Sequence, residues 1–343
     1  MTTIPIINIA PLCTPSPHYS SLAIQQVAIK IGQACRSCGF FYIVGWEDIV
    51  TSTNLQTLET LATQFFDRPL EEKMSINMRK SGLHWKGYFP SGDELTSGKP
   101  DAKEGIYFGE EYALDSVQVQ NGLAMHGPNQ WPSPQVVWKK SVLLYLEQLT
   151  ALGLRLMRGI ALSLNLPSDH FERTFCQPKP FTPFRIFRYP GNDARQGVGR
   201  HTDYGVLTIL KQDNVGGLEV ELGKNKWMPA PPVPNSFVVN IGDMLELWTS
   251  GVYKATPHRV VPGLARTRMS MPFFFDPSFE AVIDPNALQE GSSTVVLLKN
   301  AAGEKEIETN ATIHYGEYIT HKVAHVFPEL FQQSGGEDRL SKL

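Results

Sequence analysis

The stretch His201-Thr202-Asp203-Tyr204-Gly205-Val206-Leu207-Thr208-Ile209-Leu210 places an imidazole and a carboxylate two positions apart at the head of an apolar run. On a strand or its extended edge, positions i and i+2 point to the same side. His201 and Asp203 can therefore address one point in space. Outward from this stretch, short apolar or alternating runs recur between Gly, Pro and Asn signals. They are Phe184 to Tyr189, Val206 to Lys211, Leu218 to Glu221, Phe237 to Asn240, His258 to Val261 and Arg268 to Phe275. Many short strands at such spacing predict a sandwich or barrel.

A metal held by His201 and Asp203 needs a third ligand from elsewhere in the β core. His258 can supply it, on a run that continues into Val260-Val261. Two His and one carboxylate on one face of a metal leave adjacent positions open, the arrangement of non-haem Fe(II) oxygenases. A bare H-x-D is common, and a lone histidine is more often a satisfied core residue, so the reading leans on a second pair. Arg268 and Ser270 lie on the next apolar run and share a face under period two. An arginine pointing into a β core needs an anionic partner, because an unpaired buried charge is costly. A small dicarboxylate bound to the metal supplies one, with the Arg fork and the Ser hydroxyl on its far end. The bland alternative is a strand-edge arginine facing solvent.

Before Pro178 the texture is helical. Ile24, Val27, Ala28, Ile31 and Ala34 recur at helical steps. Gly39 then ends the helix and introduces a buried strand, Phe40 to Val44. A second helix is predicted from Leu55 to Phe66, stopping before Pro69. A long one runs from about Pro134 to Leu164, with Trp138, Val142, Leu146, Leu149, Leu156, Ile160 and Leu164 on one face. Between them, about 75–134 is rich in Gly, Pro and polar residues and reads as an irregular lid or substrate segment. The expected organisation is a helical N-terminal region with that lid (1–134), then the long helix and β core (135–343), as one compact unit.

Composition bounds the partners. Charged residues make up 19% of the 343, with a net charge of -3 and no basic run, so nucleic acid and anionic membrane are not expected. No apolar run approaches a membrane span of roughly 18 residues, and the N-terminus lacks a secretory signal. The four cysteines do not make a disulfide framework, and Cys35 and Cys38, a lone C-x-x-C, read as buried free thiols. A monomeric cytoplasmic protein is expected. The last residues, Ser341-Lys342-Leu343, spell a peroxisomal address in a eukaryotic cell and carry no message in a bacterial one.

Taken together, the opening stretch with Asn240-Ile241-Gly242-Asp243, Pro257-His258-Arg259-Val260-Val261 and Arg268-Met269-Ser270 resembles the isopenicillin-N-synthase-like family of 2-oxoglutarate/Fe(II)-dependent dioxygenases. Gly39-Phe40-Phe41 and the stretch Phe66 to Met74, with Glu71-Glu72-Lys73, are similar to the family's N-terminal region. The resemblance covers most of the chain. It implies a mainly β fold with flanking helices: a double-stranded β-helix (jelly-roll) core and a helical N-terminal region. It implies Fe(II) on His201, Asp203 and His258, with 2-oxoglutarate and O2 as cosubstrates. Arg268 and Ser270 would hold the distal carboxylate of 2-oxoglutarate, and Tyr189 would hydrogen-bond a carboxylate of cosubstrate or substrate. Phe187 stands where plant members usually have Asn, so that polar contact is missing. Arg185 faces the same region without an assigned role. The implied reaction oxidises, most simply hydroxylates, a small molecule with release of succinate and CO2.

Two other readings stay open on the sequence: a 2-oxoglutarate-independent Fe(II) oxidase of the same fold, and a metal-binding jelly roll without turnover. The piece Gly92 to Asp101, with His126-Gly127-Pro128 and Trp131-Pro132, is similar to microbial members such as the ethylene-forming enzyme. That enzyme has a long insertion where Glu219 to Trp227 here is a short hairpin, so ethylene formation is not expected. His321 and His325, at i and i+4, read as a solvated helix face, and His84 and His126 as surface histidines. Of Phe273-Phe274-Phe275, alternate members are expected to line the pocket.

Overall fold

The computed structural model describes residues 3–14, 18–261, 263–284, 296–299, 305–309 and 312–328; the Ser341-Lys342-Leu343 end lies outside them. Its core strands are β1 (Ile6–Asn8), β2 (Phe40–Val44), β3 (Gly87–Phe89), β4 (Glu104–Phe108), β5 (Phe184–Tyr189), β6 (Val198–His201), β7 (Leu207–Gln212), β8 (Leu218–Glu221), β9 (Trp227–Pro229), β10 (Phe237–Ile241), β11 (His258–Val260) and β12 (Arg268–Phe275). Eight form a major sheet in the order β1-β2-β10-β7-β12-β5-β4-β3, and four a minor sheet, β6-β11-β8-β9. Only β1 and β2 run parallel within them.

Helices flank the sheets. Ser20 caps α1 (Ser21–Ser37), accepting from the Ala23 N–H at 3.2 Å. Gly39, at φ +64°, ends it with its N–H on the Ala34 carbonyl at 3.0 Å and delivers the chain into β2. Beyond α2 (Ser52–Phe66), the long α3 (Gln135–Ser163) buries Trp138, Val142, Leu149, Leu156 and Ile160. Helix α3 meets the sheet at Gly153, where a Cβ would sit 2.2 Å from the Phe275 ring. The last described helix, α4 (Tyr315–Val326), lines one side of a cavity with Ile319 and Val323.

Strand alternation sorts the side chains. On β12, Arg268, Ser270, Pro272 and Phe274 line the cavity, while Phe273 and Phe275 are core. On β5, Arg185, Phe187 and Tyr189 line the same cavity.

The 75–134 segment differs from expectation. It is not uniformly irregular: β3 and β4 extend the major sheet, with Tyr107 opposite Arg185. Five of its charged residues, Lys86, Glu94, Asp101, Lys103 and Glu104, are buried. Glu104 meets Lys73 at 2.7 Å and Arg188 Nε at 2.7 Å, and accepts from the Tyr88 hydroxyl at 2.6 Å. All four cysteines are buried and free, as expected, and burial pushes the Cys13 and Cys176 thiols up to about 12. No described helix is long and apolar enough to cross a membrane.

Candidate active site

His201 ends β6 and His258 opens β11, and the two are paired directly across the minor sheet. Their ring centres are 4.2 Å apart. Asp203 lies just past β6, and its Oδ1 is 3.8 Å from the Nε2 of each histidine. One ligand atom from each of the three falls within 4.8 Å of the others, the one such group among the described residues. Each Nδ1 faces a backbone carbonyl, His201 to Gly199 at 2.8 Å and His258 to Thr256 at 3.2 Å. Those contacts fix the rings with Nε2 toward the common centre, the arrangement that prepares a histidine for metal. Burial, reinforced by the neighbouring His258, holds His201 well below its usual value. Burial pushes the Asp203 carboxyl the other way, but the two imidazoles and its hydrogen bonds outweigh it and keep the acid ionised. A neutral His201 and an ionised Asp203 are protonation states that suit metal binding.

The carboxylate is steered from the major sheet. Asn240 on β10 and Thr208 on β7 are register partners. Both donate to Asp203 Oδ2, Asn240 at 2.7 Å and Thr208 through a short hydroxyl contact. Oδ1 is left for the centre. The turn that carries Asp203 is packed tightly. A Cβ on Gly205 would fall 1.4 Å from Asp276 Oδ1, and one on Gly242 would fall 2.2 Å from the Gly205 carbonyl oxygen. Asp276 accepts from the Val206 N–H at 3.2 Å, and its burial pushes its carboxyl up to about 7. The Asn-Ile-Gly-Asp piece thus abuts the His-Thr-Asp turn for a steric reason.

Arg268 and Ser270 are 1% and 3% exposed, so the solvent-facing alternative fails. Arg268 is the register partner of Tyr189, whose ring centre is 4.8 Å from the guanidinium carbon. Its Nε and Nη1 have no hydrogen-bond partner. All three residues line the cavity that holds His201, Asp203 and His258. A buried cation with unanswered donors fits an anionic ligand and little else.

A second charged group lies in the same cavity. Lys103 sits 2.9 Å from Glu94 and 2.7 Å from Asp101, all three buried. Glu94 Oε1 accepts from the Tyr107 hydroxyl at 2.6 Å and lies 3.6 Å from Arg185. Lys86, also buried, donates to the Gly127 carbonyl at 2.6 Å and to that of Glu110, and burial lowers its amine to about 7. Sequence reasoning placed Glu94 and Asp101 only inside the Gly92 to Asp101 piece and did not single out Lys86, Lys103 or Tyr107. Their one signal was an excess of charge inside a stretch that also carries Tyr88, Phe89 and Tyr107.

The decoy histidines divide. His84 lines the cavity. His126 is 4% exposed, stacked near Phe181 and edge-on to Phe279, which corrects the surface reading. His321 and His325 are exposed on α4.

Residues 181–277 match the family model of the 2OG-Fe(II) oxygenase superfamily, and residues 4–134 that of the non-haem dioxygenase N-terminal region named for morphine synthesis. A protein of Dictyostelium discoideum named as an iron/ascorbate oxidoreductase is 38% identical, covering 89% of this chain and 90% of its own. The chain belongs to the 2OG-Fe(II) oxygenase superfamily. A homoarginine-6-hydroxylase of Arabidopsis thaliana is 32% identical over 96% of this chain and 91% of its own. Among solved structures, a 2OG-Fe(II) oxygenase family protein of Caulobacter crescentus superposes with a TM-score of 0.75 at 25% identity, covering 95% of this chain and all of that one. A full-length Neurospora crassa protein solved in complex with alpha-KG gives 0.74 at 25%, covering 94% and 96%. The 2OG-Fe(II) oxygenase fold, a jelly roll with flanking helices, is therefore the fold here. The protein is an oxidoreductase of the dioxygenase type using Fe(II), 2-oxoglutarate and O2. The non-catalytic reading and the cosubstrate-free one give way to it.

Proposed function

We propose that this dioxygenase hydroxylates an unactivated C–H bond of a small organic molecule, with His201, Asp203 and His258 as the iron ligands. Arg268 and Ser270 hold the distal carboxylate of 2-oxoglutarate, and Tyr189 contributes a hydroxyl beside them. The observation that carries this is the buried Arg268 guanidinium, unpartnered at Nε and Nη1, in the same cavity as the His-Asp-His group. Bound iron and 2-oxoglutarate supply the oxidising power, with succinate and CO2 released. The chain's own part is positional. Gly199 and Thr256 carbonyls aim the imidazoles, and Asn240 and Thr208 aim Asp203. Phe187 and Phe274 give the same cavity apolar walls. No side chain is assigned as a general base.

The name homoarginine-6-hydroxylase, carried by relatives in Arabidopsis, soybean and rice, supports a small amino acid as the first substrate to assay. The reading includes a monomer, cytoplasmic unless the C-terminal tripeptide acts as an address. The deciding experiment is anaerobic titration with Fe(II) and 2-oxoglutarate. A visible charge-transfer band that needs both, followed by succinate on admission of air, is expected. Iron binding without such a band at any 2-oxoglutarate concentration would remove the proposal.

A further inference from the structure

Arg185 is the second arginine of the cavity, near Glu94 but with a buried Nε that has no hydrogen-bond partner. It sits on β5 opposite Tyr107 of β4, with its guanidinium carbon 4.1 Å from the Tyr107 ring centre and 4.6 Å from that of Phe274. Two aromatic rings thus hold the guanidinium in place while leaving its N–H donors unused. It makes no hydrogen bond to any described residue, and its Nε is buried without a partner. Its ionic neighbour, Glu94, is 3.6 Å away, beyond hydrogen-bond reach. Glu94 is moreover engaged elsewhere, by Tyr107 at 2.6 Å and Lys103 at 2.9 Å. What exposure the arginine keeps opens into the cavity it lines with the His-Asp-His group.

We propose that Arg185 is the anchor for a carboxylate of the substrate that is oxidised, which makes that substrate a small carboxylic acid such as an amino acid. The inference rests on the dioxygenase reading above and adds to it. An Arg fork matches a carboxylate with two parallel hydrogen bonds, and the flanking rings exclude the water that would compete. Arg185 is four residues from Tyr189, the register partner of Arg268, so the backbones of the two arginines are offset by about 13 Å along the strands at about 3.3 Å per residue. Both side chains are long enough to close much of that offset, so the dependence of Arg185 variants on 2-oxoglutarate is what separates a substrate carboxylate from the cosubstrate's own.

The test titrates the anaerobic enzyme–Fe(II)–2-oxoglutarate complex with L-homoarginine, L-arginine and L-phenylalanine, and with the amide of each. The amides keep the size and the side chain and lose the anion. The readout is the change in the visible band as a molecule settles beside the iron. At least one acid is expected to perturb the band at a concentration about tenfold or more below its amide. Arg185→Gln erases that advantage, and Arg185→Lys, which keeps the charge and loses the fork, retains part of it. A retained Fe(II)/2-oxoglutarate band in each variant certifies that it is folded, and loss of a merely structural arginine would weaken acid and amide alike. Acid and amide binding alike, no binding by any of the three acids, or a 2-oxoglutarate requirement that rises in Arg185→Gln as much as the acid requirement would each overturn the assignment. Failure of wild type to form the band at all would instead overturn the dioxygenase reading, and this inference with it.

Discussion

Asp203 splits its two oxygens between the protein and the centre. Oδ2 is claimed by Asn240 and Thr208, and Oδ1 faces both histidines. Asn240→Ala removes one hydrogen bond to a charged group, worth about 1.5–3 kcal/mol. Apparent Fe(II) affinity is expected to fall about tenfold to a hundredfold, and unchanged iron binding by titration would count against the steering role. His201→Ala and Asp203→Ala each delete a proposed ligand and are expected to abolish succinate formation while the thermal transition survives; full turnover at saturating iron would refute the assignment. Arg268→Gln strips the proposed buried ion pair with 2-oxoglutarate of one partner, typically about 3–5 kcal/mol. The 2-oxoglutarate requirement should rise about a hundredfold or more, with Arg268→Lys between, measured as succinate formed at saturating iron. Period two paired His201 with Asp203 and Arg268 with Ser270, and the resemblance to the dioxygenase family is what joined those pairs to His258 in one site. The work of Asn240 was not legible, since it depends on the β10–β7 register. The role of Arg185 stayed open and Glu94 went unremarked for a similar reason: their meeting depends on β4 pairing with β5.

At the level of elements, β5, β8 and β12 have the limits that alternation and punctuation suggest, and α3 lies where its apolar face predicts. Strands β3 and β4 were hidden. Their neighbourhood is rich in Lys, Glu and Asp, which normally mark surface, and here those charges neutralise each other inside the protein. The docking of α3 gives a sharper test. Gly153 lets the helix backbone rest on Phe275, and a methyl there would lie 2.2 Å from the ring. Gly153→Ala gains helix propensity but overpacks the interface, at a typical cost of about 1–3 kcal/mol. A net loss of stability in denaturant titration is expected. A gain would mean that the ring moves aside freely.

For the molecule as a whole, the two halves of the chain share one sheet. Strands β1 and β2 cover one end of it and β3 and β4 the other, all from residues before 135. A fragment of residues 135–343 would expose both new edges. It is expected to aggregate or to melt without cooperativity in circular dichroism, whereas the full chain melts in a single transition. A fragment that melts sharply on its own would show that the β core is self-sufficient. One feature of the architecture reaches further. The proposed iron and cosubstrate residues sit on strands or, for Asp203, just past one, but the cavity is finished by α4, through Ile319 and Val323, and by the 75–134 segment, through His84, Lys86 and Met125. A lineage can therefore rewrite these two covers, which are distant in the chain, and acquire a new diet while inheriting its oxidising engine intact. Grafting α4 from a relative should retune selectivity and leave the decarboxylation of 2-oxoglutarate running.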